Sequence, residues 1–273
     1  MTTTEAPPQT GATLAFIEEQ SSRTDYFGPS ELKTTFGVEA LPPAVPPLFS
    51  NEIIVRALQR SCCIVQQIGT TAEGIPLTLQ HLYTSRENKD ALDGKFLYKP
   101  DWYGQEPLYT TQVPRSRLFI KGRNIIPGSN GKTFIGESLI AADFIEELFG
   151  DALPESYGNA IEELRSDADR LEKLSSSDWQ EAARQCVALA FSRFFRESPV
   201  EVLYRVLLAQ KVNRERLFER MYTRTNVLSA NGVVVDVGGA VAVGAGLDGW
   251  GPYDAGDDLG FSFSCSGELE LAN

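Results

Sequence analysis

The chain has 273 residues, 42% of them apolar, which suffices to bury one good core or two smaller ones and marks it as globular. Its formal charge is -12, and the basic residues are spread along the chain instead of gathered in a patch, which disfavours capture of nucleic acid phosphates or anionic lipid. No run approaches the roughly 18 continuous apolar residues of a membrane span, and MTTTEAPPQTGAT lacks the basic-then-apolar pattern of a leader. The expected setting is cytoplasmic. Cys62, Cys63, Cys186 and Cys265 then read as reduced, packed thiols, because they show no metal-ligand spacing and a Cys62–Cys63 disulfide would be strained.

In chain order, residues 1–12 predict a disordered tail of Thr, Pro and Gln without apolar anchors. The four prolines of residues 41–49 fix extended backbone, and the apolar residues among them predict that it lies along a surface. Residues 62–69, 75–83, 95–98, 106–113 and 117–122 read as short strands separated by Gly, Pro, Asn and Asp turns, so 13–132 is expected to be β-rich. From Thr133 the period becomes helical: Ile140, Phe144, Ile145 and Leu148 form a stripe closed by Gly150. A second helix is predicted near 154–174, carrying Ile161, Leu164, Ala168 and Leu171 on one face. Ser177 before Gln180, and Ser198-Pro199 before Glu201, predict capped helices near 178–196 and 199–220. Residues 133–221 are therefore a helical block. Beyond it, Asn231-Gly232 between two apolar runs predicts a hairpin. Phe261, Phe263 and Cys265 alternate with serines as in a half-buried strand, and the Gly- and Asp-rich run before them predicts an exposed loop pinned by Trp250 and Pro252. The fold class is α+β.

The motifs that invite a catalytic reading are incomplete. PGSNGKT (127–133) looks like part of a phosphate-binding loop, but Ile126 stands where that pattern needs glycine, and no apolar run ending in Asp supplies a magnesium partner. A polar turn with Thr133 as helix cap accounts for it. A serine or cysteine nucleophile wants an imidazole, and His81, the one histidine, reads as a strand or sheet-edge side chain. Adjacent helical carboxylates such as Glu146-Glu147 and Glu162-Glu163 point apart and are solvated faces. Asp248, Asp254, Asp257 and Asp258 have no recurrent calcium-ligand spacing and read as an acidic loop. The expectation is a protein with no catalytic residues, no metal and no cofactor.

The tail carries the most information. From Thr225 to Asn273 there is no Lys, Arg, His, Gln or Met, and between Leu228 and Gly267 no Glu. The stretch with Tyr222-Thr223-Arg224-Thr225, Asn231-Gly232, Val237-Gly238-Gly239, Trp250 with Pro252, and Leu259-Gly260-Phe261-Ser262-Phe263-Ser264 resembles the C-terminal part of the variable proteins of diversity-generating retroelements. That resemblance implies a C-type-lectin-like mixed α/β fold of the formylglycine-generating-enzyme type over 222–273, with the helical block inserted or flanking. It also implies a cause for the restricted alphabet. Error-prone copying at the adenines of AAC-type codons never yields Lys, Glu, Gln, Met or Trp, so Trp250 would be a fixed frame residue. On this reading Val235, Val237, Trp250, Leu259, Phe261 and Phe263 hold the frame. Asp236, Ala240, Val241, Val243, Ala245, Gly246, Asp248, Gly249, Gly251, Tyr253, Ala255, Gly256 and Asp257 form the exposed variable surface, recognising a protein or other macromolecule, with no nucleic acid or membrane partner implied. With so many Ala, Gly and Val, Tyr253 and the aspartates would dominate the contact. Two other readings stand beside it: a structural component of a phage or other particle, and a phosphate-binding enzyme at Gly131-Lys132-Thr133.

Overall fold

In the computed structural model, which describes residues 12–22, 24–84, 97–100 and 102–267, helices and strands build an α+β fold on two four-stranded sheets. The first sheet forms where apolar runs are continuous. Cys62–Gln66 (β2) and Leu118–Gly122 (β3) are buried along their whole length and pair antiparallel, with Ile64 opposite Ile120. Tyr26–Phe27 (β1) lies parallel beside β2, and Ser264–Cys265 (β8) antiparallel beside β3. Both faces of this sheet are covered. Cys62 and Ile64 enter one core cluster while Cys63 and Val65 enter another, the period-two alternation of a strand.

The second sheet is built from the tail. Tyr222–Leu228 (β4) and Val234–Val241 (β5) make the predicted hairpin, with Gly232 at φ +81° in its turn and the Ser229 N–H donating to the Val233 carbonyl. Gly244–Trp250 (β6) pairs with β5, and Leu259–Gly260 (β7) lies parallel to β4, giving the order β6-β5-β4-β7. The run expected to be an exposed loop is thus largely strand. It turns at Ala242-Val243, and only 251–258 is irregular. After β7 the chain leaves the second sheet and enters the first as β8. For that reason Ser262, Ser264 and Ser266 are buried as well as Phe261, Phe263 and Cys265, contrary to a half-buried strand.

The N-terminal part holds more helix than expected: α1 Leu14–Gln20, α2 Pro29–Phe36, α3 Asn51–Gln59, α4 Leu79–Thr84 and α5 Pro107–Thr111. Strands predicted over 75–83 and 106–113 are the helices α4 and α5, the latter started by Pro107 at its first position. His81 consequently sits half-buried on a helix rather than on a strand. Of the predicted strand 95–98, residues 95 and 96 lie outside the described residues, and Leu97 bridges to Ala245 at the edge of β6. Of the expected tail, 1–11 lie outside the described residues, while Ala12 is buried and donates its N–H to the Phe49 carbonyl at 2.7 Å.

The helical block comprises α6 Phe134–Phe149, α7 Glu155–Ser177, α8 Trp179–Ala188, α9 Ala190–Phe195 and α10 Pro199–Leu208. Thr133 caps α6, accepting from Gly136 N–H at 3.0 Å. The cap of α8 is Asp178 rather than Ser177, which ends α7. The helix expected over 199–220 stops after a π-helical turn, Ala209–Asn213, where Arg214 takes φ +57°. All ten residues of α10 are buried, because it lies between the two sheets: Tyr204 donates to the Gln66 carbonyl of β2 at 3.2 Å, while Leu203 and Leu207 share a core with Val235, Val237 and Leu247.

Two clusters of buried charge fasten these layers. Glu197, just before α10, accepts from Lys121 of β3 and Arg205 of α10, and Arg205 also donates to the Gly122 carbonyl and, at 3.1 Å, to Ser262. Glu137 of α6 accepts from Arg196 at 2.7 Å and from Arg224 of β4 at 2.8 Å. The Arg196 guanidinium lies over the rings of Phe134 and Phe261, 3.9 and 4.3 Å from their centroids.

Candidate functional site

Strand register decides which tail side chains share a face. Arg224, Asp236 and Asp248 are aligned across β4, β5 and β6, as are Tyr222, Gly238 and Gly246. Directly paired residues lie on the same side of a sheet, so these six mark one face, while Val235, Val237 and Leu247 pack toward α10 on the other. The marked face has two ends. At one, Arg224 donates to the carbonyls of Lys132 and Asp254, so the start of α6 and the segment 251–258 close over it. At the other no element among the described residues crosses, and an open groove of about 370 Å³ remains.

The groove is lined by Tyr98, Trp102, Tyr103, Tyr222, Gly239, Val241, Val243, Gly244, Gly246, Leu247 and Asp248. Its floor is glycine. A Cβ on Gly244 would fall 2.3 Å from the Leu97 carbonyl carbon, a backbone atom, so this position is glycine because a neighbour occupies the space, whereas the atom nearest a Cβ on Gly239, at 2.6 Å, is the Tyr222 hydroxyl at the end of a side chain. Both also have positive φ. Gly246 differs: nothing lies within 4 Å of a Cβ built there, so its face opens into the groove. One wall is the Tyr222 ring, reaching Gly239; the other is the segment at Tyr98 and Trp102, held to the β6 edge by Tyr98 N–H donating to the Ala245 carbonyl at 2.8 Å. The rim is apolar at Val241 and Val243, the latter 58% exposed, and acidic at Asp248. The Tyr222 phenol is pushed above its ordinary 10.0 first by burial and then by the charges of Asp248 and Asp258.

Of the thirteen positions expected on the variable surface, the structure brings Val241, Val243, Gly246 and Asp248 together at this groove. Tyr253, Ala255 and Asp257 are exposed on 251–258, which crosses the closed end of the same face, and Gly249 and Gly256 are half-buried. Four expectations of exposure are corrected. Ala245 is buried under the Leu97 bridge, Ala240 in the core beneath the bulge after Gly238, and Gly251 against Tyr253. Asp236 is fully buried on the central strand beside Arg224, with neither carboxylate oxygen hydrogen-bonded. Burial pushes its carboxyl well above the carboxylate range despite the opposing pull of Arg224. Among the frame residues, Val235, Val237, Leu259, Phe261 and Phe263 are buried and Trp250 is half-buried. The aromatic wall at Tyr98 and Trp102 was missed from the sequence. Its signal was present: three aromatics, Tyr98, Trp102 and Tyr103, stand within six residues rich in Pro, Asp and Lys.

The glycine-lysine-threonine turn is engaged elsewhere. Gly131 N–H donates to the Gly256 carbonyl at 3.1 Å, Phe134 N–H to the Pro252 carbonyl at 2.9 Å, and Gly136 N–H to Thr133. A phosphate cradle needs such N–H groups directed at the ligand, and here the first two fasten 251–258 to the start of α6 while the third closes the helix cap. Among the described residues no group of three or more His, Cys, Asp or Glu is placed to hold a metal, and Asp248, Asp254, Asp257 and Asp258 do not converge on one. All four cysteines are free and buried, and burial raises the Cys62, Cys63, Cys186 and Cys265 thiols. No helix among the described residues is long and apolar enough to cross a membrane. Comparison with protein-family models, curated proteins and solved structures finds no match.

Proposed function

We propose that this is a binding protein that presents the open face of its tail sheet to a macromolecular target, with the groove at Tyr98, Tyr222 and Gly246 as the contact centre. The observation that carries the reading is that the exposed Tyr98, the half-buried Trp102 and Tyr222 and the exposed Val241 and Val243 surround a glycine floor on strands fixed from behind by α10. Tyr98 and Tyr253 are each about half exposed. Rigid aromatic anchors beside a backbone that needs no reordering favour recognition. Variation at Val241, Val243, Gly246, Asp248, Tyr253, Ala255 and Asp257 changes this surface without touching either core, which suits diversification by retroelement copying confined to exposed positions. Selection of a random peptide library on the purified chain tests the binding role. Peptides displaced by Gly246→Leu and weakened by Tyr253→Ala are expected, and failure to recover any overturns it. The diversification is tested in the flanking DNA, where a reverse-transcriptase gene and a near-repeat of the 3′ coding end, differing at adenines, are expected. A neighbourhood without them leaves a binding protein of fixed specificity.

A further inference from the structure

We infer that the groove takes the side-chain cation of a lysine or arginine on a basic segment of the target, laid over Gly246 between Tyr222 and Tyr98, with Asp248 as counter-ion. The inference rests on the binding role proposed above and assigns its ligand chemistry. Three features lead to it.

The first is dimension. Tyr98 adjoins the outer edge of β6, and Tyr222 stands on β4 two strands away, so three strand spacings, roughly 14 Å, separate their backbones. With the Tyr222 ring already reaching Gly239, the remaining width suits one extended side chain rather than a helix or a strand. The second is chemistry. Tyrosine and tryptophan faces attract cations through their ring quadrupoles, and a glycine floor lets an alkyl stem lie close to backbone. Carboxylate at one end and aromatic surface along the sides match a group that is apolar along its length and positive at its tip. The third is charge. Among the described residues no lysine or arginine lines the groove, Asp248 is exposed at its rim, and Asp258 adjoins Tyr222, whose N–H donates to the Asp258 carbonyl at 2.6 Å. The chain as a whole carries -12, so a basic segment is drawn toward it from a distance while an acidic one is repelled.

The experiment is a titration of the full chain with N-acetyl-arginine methylamide and with its neutral isostere N-acetyl-citrulline methylamide, followed by backbone amide shifts in NMR. Saturable shifts centred on residues 239–248 and on Tyr98 are expected for the arginine compound, with citrulline at least tenfold weaker. Asp248→Asn should weaken the arginine compound about fivefold and leave citrulline unchanged, the factor set by one exposed ion pair. Asp169→Asn on α7, the same charge change elsewhere, should do nothing. Equal binding of the two compounds, an unaffected Asp248→Asn, or shifts centred outside the groove would each overturn the inference. The library selection separates the two proposals. Peptides that compete at the groove but contain no Lys or Arg refute the cation and leave the binding role standing, whereas an empty selection refutes the binding role itself.

Discussion

At the scale of single residues, Asp236 is the clearest conflict between local chemistry and position. Its carboxyl is buried on the central strand of the tail sheet, both oxygens lack hydrogen-bond partners, and its proton is held more tightly than in water. A carboxyl whose folded pKa lies above its unfolded value binds more protons when folded, so stability falls as pH rises above about 3.8 and goes on falling until the folded group ionises. Asp236→Asn is therefore expected to flatten the decline in thermal midpoint from pH 4 to pH 8 and to be the more stable protein at the upper end. An unchanged slope would mean that Asp236 is ionised and satisfied in the fold. The sequence concealed this residue because a single Asp between valines in a Gly-rich tail looks like a surface position. Asp248, between Leu247 and Gly249 in the same tail, is one. Only the strand order, which puts β5 inside and β6 at the edge, tells them apart. Glu137 was concealed too: the predicted stripe of Ile140, Phe144, Ile145 and Leu148 left it out, whereas the structure buries it with Phe134, Ser138, Ala141, Ala142 and Ile145, where a carboxylate requires a partner.

At the scale of elements, the tail glycines separate into two kinds. A Cβ on Gly238 would stand 2.0 Å from the Met221 carbonyl oxygen, a backbone atom that cannot move aside alone, whereas Gly246 is open. Gly238→Ala should cost about 1–3 kcal/mol through forced displacement of β4. Gly246→Ala should be neutral or stabilising by up to about 1 kcal/mol, since alanine has less conformational freedom to lose. Urea titration of both variants checks the pair, and equal effects would refute the distinction. The same division explains part of the restricted alphabet: at Gly238 and Gly244 glycine is dictated by close approach of backbone, and at Gly239 by its positive φ, so mutagenic copying is not needed to account for it. Elements with strong local signals were readable in advance, namely the Asn231-Gly232 hairpin, the Ser198 and Thr133 caps, and strands β2 and β3. The short helices α4 and α5 were not, because five or six residues carry too little periodicity to outweigh branched and aromatic residues that read as strand.

At the scale of the molecule, buried ion pairs tie α10, which packs behind the groove strands, to the first sheet, and the pairs differ in how they respond to conditions. Glu197 joins Lys121 of the first sheet to Arg205 of α10, all three essentially without solvent contact. Glu197→Gln would leave two buried cations facing each other, at a cost of about 3–5 kcal/mol, and 1 M salt should do little to moderate it because ions screen buried pairs poorly. Loss of the same size from Arg165→Ala, an exposed arginine on α7 that pairs with Asp143 and Glu146, would contradict the ranking by burial. Glu201 contributes to the acid limit. Burial opposes its ionisation, yet Arg115 at 2.7 Å and the Lys121 charge hold its pKa down to about 2. Its stabilisation is therefore complete above the ordinary 4.5 and is lost as pH falls from there toward 2. Glu201→Gln should narrow the difference in denaturant midpoint between pH 6 and pH 3. Because Glu201 and Arg205 lie on the same helix that supports Val235 and Val237 from behind, the amide shifts of 239–248 should broaden over the same acid range, before the helices α6 and α7 unfold. Acid unfolding that begins instead in α7, with the hairpin shifts still sharp, would place the support of the groove elsewhere than in α10.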